Sequence, residues 1–148
     1  MDHVTVRWTD RRQFVGWDGA GHGLVMDSSP QYKGEGTGVR PVELVLYGLA
    51  GCTGMDVVSV LEKKRQDLVK LEIHVHGRQR EDEFPHIYED IQVEYVVTGR
   101  GVSEAAVARA IELSEQKYCS VKGMFGPQVH VETTFRIVEA DVPADVHE

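Results

Sequence analysis

Cysteine is scarce: only Cys52 and Cys119 occur in 148 residues, with 66 residues between them. Two distant thiols do not make the disulfide framework of a small secreted domain. The core must therefore be held by packing, and a single chain of this length buries roughly 70% of its unfolded surface. Positive charge is also short, with 16 Lys and Arg against 24 Asp and Glu and a net charge of −8. That balance excludes nucleic acid as a partner, because phosphate binding needs clustered cations. It excludes an anionic membrane surface for the same reason. The first thirty residues lack an apolar export core, being interrupted by Asp2, Arg7, Asp10, Arg11, Arg12 and Asp18. The chain is expected in the cytoplasm, where thiols stay reduced unless they are redox-active.

Familiar cofactor motifs are missing as well. No Cys-x-x-Cys, His-Glu-x-x-His or Gly-x-Ser-x-Gly is present. The glycines of GEGTGVR (34–40) lack the Lys-Ser/Thr of a phosphate loop and predict a flexible loop. His74 and His76 share a strand face, and with His86 or His130 they could approach a metal. Two histidines alone fall short of a zinc site, so exposed or interface histidines are expected and no metal or cofactor. Only 42–61 is a long apolar run. It carries Glu43 and Asp56, and an acid near the centre of a membrane span costs roughly 3 kcal/mol, so a helix buried in protein is expected.

The rest of the pattern predicts a single α+β domain of order β-β-β-α-β-β-α-α-β. Residues 4–8, 12–17 and 23–27 read as a three-stranded meander, with a turn at Asp18-Gly19. Pro41 opens a helix running to about 66, proline suiting the first helical position. Residues 71–80 and 87–98 alternate as a hairpin. Ser103 caps a second helix running to about 116, a short helix covers 120–124, and a last strand covers 128–138. Strands arranged in hairpins predict antiparallel sheets, and 140–148 is expected to be a disordered acidic tail.

Chemistry centres on the cysteines. Cys52 lies mid-helix among Gly48, Gly51 and Gly54, glycines that predict close packing or room for a substrate. A buried structural thiol is one reading of Cys52. A reactive thiolate is the other, and lowering a thiol pKa by about two units takes ~2.7 kcal/mol. No helix end helps Cys52, and Asp56 on the same face opposes its ionisation, so a cation must come from elsewhere. Cys119 sits where one helix ends and another starts, flanked by Lys117 and Lys122, a setting that favours a thiolate.

Three segments carry a resemblance. RPVELVLYGLAGCTGMDVVSVLEKKRQDL, then SEQKYCSVKGMF, and the earlier Gly-x-Gly-x-x-x-Asp at Gly21–Asp27 together resemble the OsmC/Ohr family over about residues 4–138. The resemblance implies an intertwined homodimer, its antiparallel sheets wrapped round two central helices. It also implies thiol-dependent reduction of organic hydroperoxides: Cys52 becomes a sulfenic acid, Cys119 condenses with it to a disulfide, and an external dithiol resets the pair. It further implies an activating arginine from the N-terminal sheet, paired with a glutamate ten residues before the cysteine. Here Val42 holds that place and Glu43 lies nine before. Glu43 is either that partner or a helix-start carboxylate. Arg12 is preferred as the arginine because it opens a strand, with Arg11 and Arg40 as alternatives. This departure marks a divergent branch, and it leaves open a non-enzymatic relative holding a small hydrophobic molecule near Cys52, or a dimer whose cysteines are only structural.

Overall fold

The computed structural model describes residues 1–141, so most of the expected acidic tail lies outside the described residues. The chain forms two compact units, Met1–Tyr47 and the residues from Gly48 onward.

The first unit is the expected meander. Strands β1 (Val4–Asp10), β2 (Gln13–Asp18) and β3 (Gly23–Met26) pair antiparallel in that order. Arg11 and Arg12 form the tight turn between β1 and β2, Arg11 taking a φ of 44°. Arg12 therefore precedes the strand it was expected to open.

The Gly-rich loop is folded round a buried carboxylate. Asp27, only 2% exposed, organises it. Its carboxylate accepts hydrogen bonds from the backbone N–H groups of Ser28 (2.7 Å), Glu35 (3.2 Å) and Thr37 (3.1 Å), and from the Thr37 hydroxyl (2.7 Å). Those donors, the Thr37 hydroxyl foremost, pull its pKa down to about 2. The wrap is tight enough that a Cβ on Gly34 would stand 1.9 Å from the Ser28 carbonyl oxygen. The conformation depends on contacts eight to ten residues away, which a local composition rule does not register.

The second unit is built on a sheet of order β4-β5-β6, comprising Asp67–Gln79, Tyr88–Arg100 and His130–Glu139. The hairpin β4–β5 is antiparallel as expected, whereas β6 runs parallel to β5. The fold remains α+β, but this sheet is mixed. The reason is the connection: 101–129 carries helical elements that return the chain to the starting end of β5, as a parallel crossover requires. Central strand β5 is accordingly the most buried, with Ile91, Val93, Tyr95 and Val97 at 3% exposure or less.

Helix α1 (Glu43–Lys63) buries Leu49, Thr53, Val57, Val60 and Leu61. Helix α2 (Glu104–Leu113) buries Ala106, Val107, Ala110 and Ile111, a single stripe at helical spacing. Ser103 caps α2 as expected, its hydroxyl accepting from the Ala106 N–H at 3.3 Å. The second helix is shorter than expected because Ser114–Tyr118 forms a π turn, followed by the four-residue α3 (Ser120–Gly123). Gly54 marks close packing: a Cβ there would lie 2.9 Å from Ile73 Cδ1. Gly51 faces open space.

Candidate active site

Cys52 rides on α1 one residue before the buried Thr53, so its sulfur lies at the margin of the core, half-buried. Cys119 ends the π turn and caps α3, and it is 6% exposed. The structure brings these two residues together. Their sulfurs and a carboxylate oxygen of Asp56 all lie within 4.8 Å of one another. Both thiols are free.

The two sulfurs are unequal. Burial, the largest influence, pushes the Cys119 thiol up, and its hydrogen bond and proximity to Cys52 push the same way. The Lys122 backbone N–H, 3.4 Å from Cys119 Sγ, pulls it down without prevailing. The helix-start effect expected to make Cys119 a thiolate therefore loses to desolvation: the backbone N–H groups of Lys122 and Val121 in a four-residue helix are weaker than removal from water. The flanking lysines are also engaged elsewhere. Lys122 Nζ lies 3.5 Å from Glu115 Oε2, and Lys117 Nζ lies over the Tyr118 ring.

A buried polar chain reaches this cluster. Tyr95 OH and Thr53 Oγ1 are 2.5 Å apart; Ser114 Oγ stands 2.9 Å from Thr53 Oγ1 and 2.9 Å from Asp56 Oδ2. Tyr95 and Ser114 are at most 1% exposed. Desolvation pushes the Tyr95 phenol up to about 12, against the pull of its hydrogen bond to Thr53. From the sequence, Asp56 was noticed only as an unfavourable neighbour, and Tyr95, Thr53 and Ser114 were not singled out. They come from three elements, and no motif spacing links them.

The other expected site residues lie in the first unit. Glu43 sits at the helix start with both oxygens engaged by Arg40: the Arg40 backbone N–H donates to Oε2 at 3.0 Å, and Arg40 Nη2 lies 3.0 Å from Oε1. These bonds, the backbone one first, hold the Glu43 carboxyl below its usual value. This is a capping-box arrangement, in which the third helical residue reaches back to the cap. The arginine paired with Glu43 is thus Arg40 rather than Arg12. Arg11 stands 3.5 Å from Glu35. Arg12 Nη1 donates to the Arg11 carbonyl, and among the described residues no carboxylate pairs with Arg12.

His74, His76 and His130 are exposed on the β4–β5–β6 sheet, and no histidine joins a metal-competent cluster among the described residues. Cys52, Asp56 and Cys119 are donors a soft divalent metal accepts, but Asp56 is already held by Ser114. Between α1 and β4, Gly51, Gly54, Met55, Val58, Leu71 and Ile73 line much of an open, mostly apolar groove of about 520 Å³. Cys52 is not in its wall.

The chain is similar to known proteins in both sequence and fold. Residues 34–134 match the family profile described as OsmC-like protein. Protein YhfA of Escherichia coli K12 is 38% identical over 135 residues, covering 91% of this chain and 97% of that protein. A crystal structure from Aquifex aeolicus is 30% identical with a TM-score of 0.82, covering 95% of this chain and 98% of the other. The organic hydroperoxide resistance protein OhrB of Bacillus subtilis shares the fold at 20% identity, with a TM-score of 0.63 over 92% of this chain and 98% of its own. The chain belongs to the OsmC/Ohr family.

Proposed function

We propose that this protein is a cytoplasmic thiol peroxidase that reduces organic hydroperoxides through Cys52 and Cys119. One observation carries the reading: two free sulfurs from separate elements, within 4.8 Å, one half-buried and the other buried and held protonated. The half-buried sulfur suits the nucleophile. Cys52 thiolate attacks the peroxide oxygen, the O–O bond breaks, and Cys52 becomes a sulfenic acid as the alcohol departs with a proton. Cys119 then forms the disulfide, and an external dithiol reduces it without a bound cofactor. The Bacillus relative, named for hydroperoxide resistance, points to the same substrate class.

The working unit in this proposal is a homodimer. Much of α1 is apolar yet uncovered, with Tyr47 at 64% and Met55 at 76% exposure; on β1, Val4, Val6 and Trp8 are each at least half exposed. A second copy of the chain would cover such faces. Arg12, free of any described carboxylate, is the proposed activating cation, acting within the chain or across the dimer, while Glu43 serves the helix start. The test is consumption of cumene hydroperoxide with a dithiol reductant. Wild type consumes it and Cys52→Ser does not; equal consumption by both would remove Cys52 from the reaction. The mostly apolar groove beside α1 favours a second reading, a carrier of a small hydrophobic molecule. In that case binding persists in Cys52→Ser and no peroxide is consumed by either protein.

A further inference from the structure

We infer that Asp56, held by the Ser114–Thr53–Tyr95 hydroxyl chain, carries the proton in the step that joins Cys119 to the oxidised Cys52. This rests on the peroxidase reading and assigns a residue to its second step.

The resolving step poses a specific problem. Cys119 must attack as a thiolate, yet the residue is only 6% exposed, so bulk water is a poor proton acceptor for it. The other product, hydroxide from the sulfenic acid, is a poor leaving group unless it is protonated. A carboxylate near both sulfurs answers both needs, and an Asp56 oxygen lies within 4.8 Å of each. Asp56 takes the proton from Cys119. The S–S bond forms as the S–O bond of Cys52 sulfenic acid breaks, and Asp56 passes the proton to the departing hydroxide. The balance is Cys52–SOH plus Cys119–SH to disulfide plus water. The Cys119 sulfur is oxidised, the sulfenic sulfur is reduced, and Asp56 returns to its starting form.

The hydroxyl chain fits this role through its donor count. Ser114 has one proton and two close oxygens, Thr53 Oγ1 and Asp56 Oδ2. Ser114 is the donor in both contacts, and with Asp56 ionised its single proton favours the charged carboxylate, while Thr53 and Tyr95 keep a hydrogen bond of their own. The chain thus ends on a charged acceptor. The chain positions Asp56 and needs no proton to travel its length. The other titratable groups nearby are accounted for: Glu115 accepts from Thr133 Oγ1 and pairs with Lys122, and Tyr95 stays neutral. Ser114 and Cys119 bracket the π turn and both approach Asp56, and the Cys119 N–H donates to the Ser114 carbonyl at 2.8 Å, which links the two residues. π turns recur at functional sites, where an extra residue re-aims the side chains around it.

The experiment is single-turnover oxidation of the reduced full-length protein with cumene hydroperoxide. Disulfide is followed by mass spectrometry and sulfenic acid by dimedone trapping, across roughly pH 6 to 8. Asp56→Asn retains the size and an acceptor for Ser114 but cannot take a proton. Its disulfide formation is expected to slow about 10²-fold or more, with Cys52 sulfenic acid accumulating. Its rate should climb about tenfold per pH unit as hydroxide replaces the missing base, while wild type varies much less. Asp56→Glu should restore part of the rate and the shallow profile. If Asp56→Asn does not fold, Ser114→Ala is the second probe, expected to slow disulfide formation without steepening the profile. Equal disulfide rates and equal pH profiles in wild type and the folded variants would overturn the inference. A wild type that forms neither sulfenic acid nor disulfide would instead overturn the peroxidase reading beneath it.

Discussion

Replacing Thr53 by valine keeps the shape of a 3%-exposed side chain and deletes the middle of the hydroxyl chain. Ser114 can still donate to Asp56, but the Tyr95 hydroxyl, 1% exposed, loses its described partner. Leaving such a group unpaired costs about 1–3 kcal/mol, and losing the bond to Ser114 adds about 0.5–1 kcal/mol, so roughly 2–3 kcal/mol is expected. Tyr95→Phe leaves Thr53 its bond to Ser114 and should cost about 1 kcal/mol. The double variant is the informative one. With both polar partners gone no orphan remains, and the pair should cost about 2 kcal/mol, at least ~1 kcal/mol less than the sum of the single changes. At this chain length each kcal/mol moves the melting temperature by about 2–4 °C. Urea and thermal denaturation at one fixed protein concentration measure all four corners of the cycle; fixing it matters for the proposed homodimer. Strict additivity, or a double variant worse than the sum, would show that the two hydroxyls are not partners.

Other outcomes follow from the same geometry. Leu61, fully buried on α1, should cost about 2–5 kcal/mol when cut to alanine, read as a lower urea midpoint. Iodoacetamide at neutral pH should label Cys52 at least about tenfold faster than Cys119, because burial keeps the latter protonated and shielded; labelling in denaturant should be equal, and mass spectrometry separates the two. Asp27 is stabilising as a carboxylate: its folded pKa of about 2 lies below the ordinary 3.8, so its contribution is present above about pH 4 and fades as pH falls towards 2. Limited proteolysis of the 28–40 loop should therefore accelerate over that acid window in wild type, whereas Asp27→Asn should be cut quickly already at neutral pH. Gly34→Ala should open the same loop without any pH dependence, since its defect is steric.

What could be read in advance was whatever rests on local pattern. The meander, the hairpin, the Ser103 cap and the α1 start come from alternation, helical spacing and capping chemistry within a few residues. The pairing of β6 could not be read that way. Alternation says which face of a strand is buried but not which way it runs, and direction here is decided by how 101–129 travels. The fold of the loop around Asp27 could not be read for a related reason. Glycine-rich composition is the same whether glycines confer flexibility or let backbone approach a buried carboxylate, and only the register of Thr37 and Glu35 against Asp27 distinguishes them. The two cysteines were legible as a pair through family resemblance, and their proximity is a tertiary fact. Their difference was not legible. Sequence context gave Cys119 a helix start and two lysines, every one a reason for ionisation, while the fold supplies the opposing quantity, burial behind the π turn, and commits both lysines elsewhere. Asp56 shows the converse. Four residues from Cys52 on one helix, it read as a repulsive neighbour. In the fold the same carboxylate lies beside Cys119 and is bonded to Ser114 from another element, which is what the proposed base role rests on. Charge sign was readable from the chain, and the role of that charge was set by what two other elements bring to it.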